Sequence, residues 1–319
     1  MGLYIGIDGG GTHSTAVAAW PDGRVAAVTE GLGLNYHNVG VEPVRLRLEE
    51  MVKTLEAQAE APVEKICVGM SALDGPADEA TLALFTAGTL SPSALDLQSD
   101  AYAALMGFTQ GEPGMIVICG TGSMLLLVDE KGNQHVSGGW GYLLNDAGSG
   151  YTLAREALLR VIDAAEGTGP STPLTALALD YFGVSYPRAI IDRVYAPDFT
   201  PDQMAGFAPC VIAQAEQGEP GALDILSHNM ERLARQAARL FLKAPAARRV
   251  GLYGGIFAHS ALARGIFQKI LAGLWPQAEI CDLQYPPELG AIIHLMRRAG
   301  TLNEASLRLL KKTYEEVKP

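Results

Sequence analysis

Three short apolar runs separated by turn residues open the chain. The first covers residues 3–8, the second begins at Ser14 after a glycine-rich turn, and the third follows the turn sequence at 21–23. Apolar runs of this length between turn residues predict buried strands. A helical period comes next, because apolar residues recur three or four positions apart at Val44, Leu48, Val52, Leu55 and Ala59. The opening pattern therefore predicts a three-stranded meander followed by a helix.

The same order of elements recurs in the second half of the chain. Residues 115–139 contain an apolar run, a Gly/Thr turn, a second apolar run, a Lys-Gly turn and a third run. A helical pattern follows from Tyr151. The distance from glycine turn to hairpin turn is nearly equal in the two halves. We interpret this as weak internal repetition, at a period too long for a solenoid, and therefore as a duplicated domain.

Later apolar runs complete each half with the same kinds of element. Buried strands are expected at 65–73 and 94–100 in the first half, and at 248–257 and 278–286 in the second. Strands alternating with helices, together with meanders, predict an α/β protein with mixed sheets. The cleft between two such domains is the usual place for a ligand site, so we expect an interdomain cleft.

The domain limits follow from where one repeat ends and the next begins. We predict a first domain at residues 1–110 and a larger second domain at 111–302. A stretch without strong strand signals, 172–243, is expected to be a helical insertion in the second domain. Residues 303–319 form an amphipathic pattern, and this C-terminal helix can pack on the first domain or on the second.

Composition and charge exclude several classes of protein. The 319 residues are 48% apolar and 18% charged, which allows a sizeable core, and the net charge is −11. An acidic chain lacks the basic face that nucleic-acid binding needs, so no nucleic-acid partner is expected. No apolar run approaches the ~20 residues of a membrane helix, and no signal-peptide pattern is present. We therefore expect no membrane partner and a cytoplasmic location.

The first glycine turn combines a carboxylate, glycines and hydroxyls at the end of a strand. Gly9, Gly10 and Gly11 can adopt positive φ and direct successive N–H groups toward an anion, with hydroxyls from Thr12 and Ser14 beside them. The preceding residue, Asp8, repels an anion unless a cation lies between them, most simply Mg²⁺ bound through water. The alternative is a glycine-rich hairpin turn whose aspartate binds its own backbone.

Two further glycine turns resemble the first in composition. Residues 119–123 place the hydroxyls of Thr121 and Ser123 beside Gly120 and Gly122, so the two turns can hold a polyphosphate from both sides. Neither is a Walker A loop or a dinucleotide fingerprint. The third turn, with Gly254 and Gly255, leads from a strand into a helix. It suits an adenine or ribose lying against the backbone, or it is only a tight strand–helix connection.

Taken in order, these motifs resemble a known superfamily. GIDGGGT, GTGS and the Gly-Gly before a helix are similar to the phosphate-1, phosphate-2 and adenosine motifs of the sugar kinase, heat-shock chaperone and actin superfamily. Residues 138–151 resemble the matching stretch of N-acetylglucosamine kinases and of the related ATPases that activate benzoyl-CoA-type reductases. The likeness covers most of the chain. It implies two ribonuclease-H-like domains, ATP with Mg²⁺ in the cleft, and closure of the domains over a sugar.

The resemblance also assigns a carboxylate to the chemistry. Asp100 ends an apolar strand and begins a helix, in the sequence SDA, which matches the TDA-like sequence of the proposed base in these kinases. A carboxylate there can orient a sugar hydroxyl and accept its proton as the γ-phosphoryl group leaves ADP. From position alone, an N-cap residue worth ~1 kcal/mol is the competing interpretation.

Sugar contacts are implied by the same resemblance. Gly139, Trp140 and Asp146 belong to the motif that holds sugar hydroxyls in the family, although Asp146 also precedes a helix and can be an N-cap. Asn35 matches a sugar-binding asparagine, but it reads Asn-Tyr-His where the family has Asn-His-Trp. Without the resemblance, a turn residue is the favoured interpretation of Asn35.

Together these residues predict a phosphotransferase, with other functions as alternatives. The expected reaction is ATP-dependent phosphorylation of the 6-hydroxyl of an amino sugar, first N-acetyl-D-glucosamine, with glucosamine as the alternative. A partner-activating ATPase of the reductase-activator type is less favoured, because the four cysteines lack cluster spacing. An actin-like filament protein leaves the sugar motif unexplained. The sequence does not decide the oligomeric state, and the resemblance allows a homodimer.

Overall fold

The computed structural model describes residues 2–144 and 146–318. The chain forms two compact units, one built from residues up to Ile116 and from Cys281 onward, the other from Val117–Ile280. The boundaries between the units fall inside two strands of the second sheet, β6 and β10, which are defined below. Each unit contains a five-stranded sheet covered by helices.

The first unit begins as the hydrophobic pattern predicts. Its elements are β1 (Leu3–Gly9), β2 (His13–Ala19), β3 (Val25–Leu32), α1 (Tyr36–Val39), α2 (Val41–Ala59), β4 (Val63–Met70), α3 (Glu79–Phe85), β5 (Leu95–Ser99) and α4 (Asp100–Thr109). The sheet order is β3-β2-β1-β4-β5. β1 pairs antiparallel with β2 and parallel with β4, and β5 continues the parallel pairing, so the sheet is mixed. This confirms the predicted meander and class of sheet.

The second unit repeats that order. Its elements are β6 (Gly114–Cys119), β7 (Ser123–Val128), β8 (Gln134–Gly138), α5 (Gly150–Glu166), α6 (Leu174–Phe182), α7 (Ile190–Val194), α8 (Pro201–Ala205), α9 (Ala208–Glu216), α10 (Pro220–Phe241), β9 (Arg249–Tyr253), α11 (Gly255–His259), α12 (Ala261–Leu274) and β10 (Glu279–Cys281). The sheet order β10-β9-β6-β7-β8 is that of the first sheet read from the other edge. A helical region, α6–α10, separates the meander from β9.

The last two helices return to the first unit. They are α13 (Pro287–Ala299) and α14 (Glu304–Val317). Helix α13 contacts β1 and α4, and α14 contacts β3. The predicted limit of the second domain at residue 302 is therefore wrong for α13. The sequence repeat ends with β10, whereas α13 packs on the first sheet because its apolar side chains, such as Ile292 and Met296, are buried there with Val17.

Both faces of the first sheet are buried, which explains the continuous apolar runs. On one face, Ile5 and Ile7 pack with Leu48 and Leu55 of α2. On the other face lie Tyr4 and the apolar side chains of α13 and α14. A half-solvated sheet would instead show alternation of polar and apolar residues. Within residues 2–144 and 146–318, no helix has the length and apolar content to cross a membrane.

A buried polar network ties α13 to β5 and α4. The Tyr102 hydroxyl lies 2.9 Å from Nδ1 of His294, whose Nε2 lies 2.9 Å from Oδ2 of Asp96. Burial alone would raise the pKa of Asp96, but hydrogen bonds from His294 and Gln98 and the charge of Arg298 lower it to about 2. The network therefore stabilises the ionised form of Asp96 in the folded protein.

We expect Asp96→Asn to lower the free energy of unfolding at pH 7 by about 2 kcal/mol. The folded pKa of Asp96 is below its usual value of 3.8, so its contribution is present above pH ~4 and is lost as the pH falls toward 2. Urea unfolding of both proteins at several pH values tests this. The difference between them should narrow between pH 4 and pH 2; a difference that stays constant contradicts the prediction.

Candidate functional site

The first glycine turn is fixed through its carbonyl groups. Ser71 donates its N–H to the Gly9 carbonyl at 3.0 Å, and Leu34 donates to the Gly10 carbonyl at 2.9 Å. These anchoring bonds do not use the N–H groups of Gly10, Gly11 and Thr12. The turn is thus anchored through its carbonyl groups, and these bonds leave its amide donors unused.

The structure corrects the prediction that the glycines of this turn adopt positive φ. Gly9, Gly10 and Gly11 do not have positive φ. A Cβ at Gly10 would lie 2.7 Å from the His13 carbonyl, whereas one at Gly11 would meet nothing within 4 Å. Glycine is required at Gly10 by close packing, and at Gly11 it leaves open space that a ligand can occupy.

The hydroxyls of this turn differ in availability. Ser14 is buried, and its Oγ donates to the Leu32 carbonyl at 2.9 Å, so it is not free to bind an anion. Thr12 is exposed. Of the two hydroxyls that the sequence predicted to bind an anion, only that of Thr12 is therefore available.

Two other carboxylates act on the Asp8 carboxylate near the carboxyl end of β1. Burial, followed by the negative charges of Glu288 and Asp100, raises the pKa of Asp8 from 3.8 to about 6. Tyr314 of α14 donates its hydroxyl to Glu288 Oε1. No hydrogen bond to the Asp8 carboxylate occurs among the described residues, so the aspartate does not bind its own backbone there. The local field is that of a site for a cation.

Sequence reasoning missed Glu288. Its only signal was a lone acidic residue after Pro286-Pro287 and before a long apolar stretch. It is buried, with 5% of its surface exposed. A buried carboxylate in an apolar helix needs a partner, which is a signal that could have pointed to it.

Asp100 is the first residue of α4 and is not its N-cap. Ser99 is the cap, since its Oγ accepts the N–H of Tyr102 at 3.2 Å. One oxygen of Asp100, Oδ1, accepts the N–H of Ala101 at 2.6 Å. Burial raises the pKa of Asp100 despite its backbone hydrogen bonds, and the charge of Asp74 adds to the increase. A carboxylate with a raised pKa is a better proton acceptor, as a general base requires.

Asn35 caps a short helix and also reaches toward a neighbouring hydroxyl. Its Oδ1 accepts the N–H of His37 at 3.0 Å, and its Nδ2 lies 3.5 Å from Oγ of Ser71. The turn interpretation therefore accounts for the carbonyl oxygen of the side chain. The amide NH₂ group makes only a long hydrogen bond and can still donate to a sugar hydroxyl.

In the second unit, the turn at Gly120–Gly122 is attached to the start of α5. The Gly150 N–H donates to the Gly120 carbonyl at 2.7 Å, and the Tyr151 N–H donates to the Thr121 carbonyl at 3.2 Å. Neither Gly120 nor Gly122 has positive φ. A Cβ at Gly120 would meet nothing within 4 Å. As at Gly11, a Cβ would point into open space, although the Gly120 N–H already donates to the Gly122 carbonyl at 2.9 Å.

The two hydroxyls of this turn are already engaged. Ser123 is buried, and its Oγ donates to the Ala147 carbonyl at 2.8 Å. Thr121 Oγ1 donates to Asp202 Oδ1 at 2.7 Å on the surface. The Ser123 side chain is therefore structural, while the Thr121 hydroxyl can exchange an exposed partner for a ligand.

Asp146 is buried with an unsatisfied oxygen. Among the described residues, its Oδ1 has no hydrogen-bond partner, and burial raises the pKa of Asp146 despite bonds from the N–H groups of Gly141 and Ser123. It does not cap α5, because Ser149 does so by accepting the Thr152 N–H. A buried acceptor without a partner points to a ligand that donates to it. The neighbouring Asn145 lies outside the described residues.

The other members of the sugar motif lie on an exposed loop. Gly139 adopts positive φ of 70°, which lets the chain leave β8 and turn. Trp140 is 70% exposed. Its indole therefore has apolar surface available for a ligand.

The third glycine turn is explained mainly by packing. Gly254 has φ of 96°, and a Cβ there would lie 2.5 Å from the Cys119 carbonyl. Gly255 is open, with its nearest atom, Cδ2 of His259, at 4.0 Å. The tight-connection interpretation therefore accounts for Gly254, and Gly255 alone keeps space for a nucleotide.

The residues present fit ATP and a divalent cation. Gly11 and Gly120 leave open space over backbone turns, and the pKa of Asp8 is raised by burial and by two neighbouring negative charges. No three His, Cys, Asp or Glu side chains among the described residues converge as a metal cage.

Both sheets have the same strand order, and in each meander a glycine turn follows the first strand. This arrangement defines the two-domain α/β class of actin-like ATPases and sugar kinases. The chain belongs to the BadF/BadG/BcrA/BcrD ATPase family, whose sequence profile matches residues 5–294. The resemblance drawn from the glycine turns is confirmed, as is the α/β class.

Two curated relatives are amino-sugar kinases. The chain is 29% identical to N-acetyl-D-glucosamine kinase of Dictyostelium discoideum, over 91% of this chain and 97% of that protein. It is 30% identical to glucosamine kinase GspK of Vibrio cholerae, over 71% of this chain and 76% of that protein. A solved structure from Chromobacterium violaceum, provisionally assigned as an N-acetylglucosamine kinase, matches with a TM-score of 0.67 at 25% identity, covering 93% of this chain and 99% of that one.

We expect Gly11→Ala and Gly120→Ala to weaken ATP binding without loss of stability. A methyl group at either position meets no protein atom, so only a ligand would be obstructed. Isothermal titration with ATP should show a Kd increase of about tenfold or more, which is 1.4 kcal/mol. Gly265→Ala, on α12, is the matched control because its Cβ also meets nothing. Unchanged affinity in both variants would remove these turns from the nucleotide site.

We expect Asp8→Asn to raise the free energy of unfolding at pH 7 by about 1–3 kcal/mol without Mg²⁺. The folded pKa of Asp8 lies above 3.8, so the wild type loses stability as the pH rises from ~4 to ~6, and the variant does not. Mg²⁺ should stabilise the wild type more than the variant. Thermal unfolding of both proteins with EDTA and with about 10 mM Mg²⁺ compares the two effects. Equal Mg²⁺ effects on both proteins contradict a role for Asp8.

Proposed function

We propose that the chain transfers the γ-phosphoryl group of ATP to the 6-hydroxyl of an amino sugar, with N-acetyl-D-glucosamine as the first candidate. Family membership and the two amino-sugar kinase relatives support this reaction. The observation that carries it is Asp100: the helix is capped by Ser99, which leaves a carboxylate of raised pKa at the carboxyl end of β5. ATP in the cytoplasm is the phosphoryl donor, so we propose a cytoplasmic location.

In the first unit, the proposed roles divide between proton transfer and charge. Asp100 orients the attacking hydroxyl and accepts its proton through the oxygen that does not bind Ala101. Asp8 holds a hydrated Mg²⁺, which neutralises phosphate charge when bound. The N–H groups of Gly10 and Gly11 and the hydroxyl of Thr12 donate to phosphate oxygens. Asn35 donates its NH₂ group to a sugar hydroxyl.

In the second unit, the proposed roles are nucleotide binding and sugar selection. The open backbone at Gly120, with Thr121, contacts phosphate, and Gly255 leaves room for the nucleoside. Asp146 accepts a hydrogen bond from a sugar hydroxyl, because its Oδ1 is buried and has no partner within the described part of the chain. Trp140, on the loop that begins at Gly139, provides apolar surface against the sugar.

Glucosamine is the second candidate substrate. A free amine is cationic at neutral pH and favours a carboxylate neighbour, and the unpartnered oxygen of Asp146 is such a group. N-acetylglucosamine instead carries a methyl group that favours apolar surface such as that of Trp140. Activity on glucosamine is therefore expected to depend more on Asp146, and activity on N-acetylglucosamine more on Trp140.

We expect ADP release to depend on one amino sugar and to fall about 10²- to 10⁴-fold in kcat in Asp100→Asn. The assay couples ADP release from Mg-ATP to a panel of N-acetylglucosamine, glucosamine, N-acetylmannosamine, glucose and no sugar. Asp78→Asn is the matched control: Asp78 also starts a helix, but as the N-cap of α3, where asparagine caps equally well.

Two results would contradict the proposal. ADP release that is indifferent to every sugar would favour an ATPase driven by a protein partner. An Asp100→Asn variant that keeps its kcat, with sugar dependence intact, would leave the kinase but remove its proposed base. Circular dichroism and thermal unfolding of each variant establish that the fold is retained.

A further inference from the structure

A polar cavity opens at the end of the first sheet opposite to the glycine turn. Its volume is about 490 Å³, and its walls include the amino ends of β1, β4 and β5 and the last turns of α13. Tyr4, near the start of β1, lines the cavity, and Gly9 ends the strand five residues later. At about 3.3 Å per residue, the two positions are about 17 Å apart. The cavity is therefore separate from the residues of the proposed reaction, none of which lines it.

Three hydrogen-bond donors, each from a different element, line this cavity. Tyr4 and Lys65 are partners in the parallel pairing of β1 with β4, so their side chains leave the same face of the sheet. Helix α13 packs on the face that bears Tyr4, and this packing brings Arg298 to the cavity. Two strands and a helix thus direct a hydroxyl, an ammonium group and a guanidinium group toward one space.

Each of the three donors keeps unused capacity. Tyr4 is only 5% exposed, and no described residue forms a hydrogen bond with its hydroxyl. Lys65 Nζ donates to the Ser93 carbonyl at 2.7 Å, and its two other N–H groups have no partner among the described residues. Arg298 Nη1 donates to Asp96 Oδ2 at 2.5 Å, which leaves most of the guanidinium N–H groups available. A nearly buried hydroxyl without a partner points to a ligand that binds it.

Of the two carboxylates that line the cavity, only one has an oxygen free for a ligand. Both oxygens of Asp96 accept hydrogen bonds, Oδ1 from Gln98 at 2.7 Å and Oδ2 from side chains of α13. Glu64 Oε2 accepts the Gly2 N–H at 2.9 Å, and its Oε1 has no partner within the described part of the chain. Burial, and then the charge of Glu64, raise the pKa of Tyr4, so this carboxylate acts on the same space.

We propose that this cavity is a second ligand site, which binds a small phosphate ester that also carries an amine, such as an amino-sugar phosphate. The three terminal oxygens of a phosphomonoester match the three donors, and its negative charge lies opposite Lys65 and Arg298. The ammonium group of the same ligand donates to Glu64 Oε1. The cavity volume is within the range of about 300–1,000 Å³ that small-molecule sites have. This inference goes beyond the proposed reaction, and only the choice of probe draws on that reaction.

Titration calorimetry of the full chain with glucosamine 6-phosphate tests the donors. Arg298→Gln is expected to raise the Kd about tenfold or more, and Tyr4→Phe about threefold or more. Tyr4→Phe removes a hydroxyl that has no partner in the described chain, so it should not lower the free energy of unfolding. It therefore keeps the test valid if Arg298→Gln fails to fold. Arg297→Gln is the matched control, because Arg297 precedes Arg298 on α13 but does not line the cavity.

Glucose 6-phosphate, which lacks the amine, tests the role of Glu64. We expect the wild type to bind it about fivefold or more weakly than glucosamine 6-phosphate, and Glu64→Gln to remove this difference. The glutamine keeps an oxygen for the Gly2 N–H and loses only the charge.

Three results would overturn the inference. The first is a wild type that does not bind glucosamine 6-phosphate at about 5 mM. The second is a Kd that neither Arg298→Gln nor Tyr4→Phe changes, which places the ligand elsewhere. The third is a preference for the amine that survives Glu64→Gln. ADP release with the amino-sugar panel, measured on the same variants, shows separately whether the proposed reaction holds.

Discussion

The crowding of negative charge at the end of β1 is the constraint on which the rest of the first unit depends. Asp8 is partly withdrawn from water beside Asp100 and Glu288, and its pKa is raised to about 6. Each carboxylate is held by a different element: a central strand, the helix after the edge strand, and a helix that returns from beyond the second unit. Folding therefore brings together like charges that a cation can compensate.

The helices that enforce this arrangement are themselves locked in place. Gly290 of α13 lies so close to the Ala103 carbonyl of α4 that a Cβ would overlap it. The network of Tyr102, His294 and Asp96 connects α4, α13 and β5 through hydrogen bonds of normal length. Close backbone packing and a satisfied buried network together oppose any relaxation that would let the carboxylates move apart.

Local patterns predicted much of this protein. The apolar runs predicted the strands, most clearly β1 and β2, which are buried along almost their whole length. The repeated turns predicted the repeated strand order. The sequence also indicated Asp8, Asp100 and Asp146. It did not reveal that Ser14 and Ser123 donate to carbonyls, since a hydroxyl's partner is set by tertiary contacts. Glu288 and the placement of α13 were missed for the same reason.

The first unit is assembled from two distant parts of the chain, and this has a consequence for synthesis. Residues 117–280 are contiguous and can fold as soon as they leave the ribosome, whereas the first sheet lacks α13 and α14 until residues 281–317 have been made. Until then the face of the sheet bearing Tyr4 and Val17 is covered only in part, by α4. The nascent first half is therefore the part of this protein with most reason to engage a chaperone. The charge of Glu288 beside Asp8, and the Tyr314 hydroxyl that donates to Glu288, are added only with this last segment of the chain.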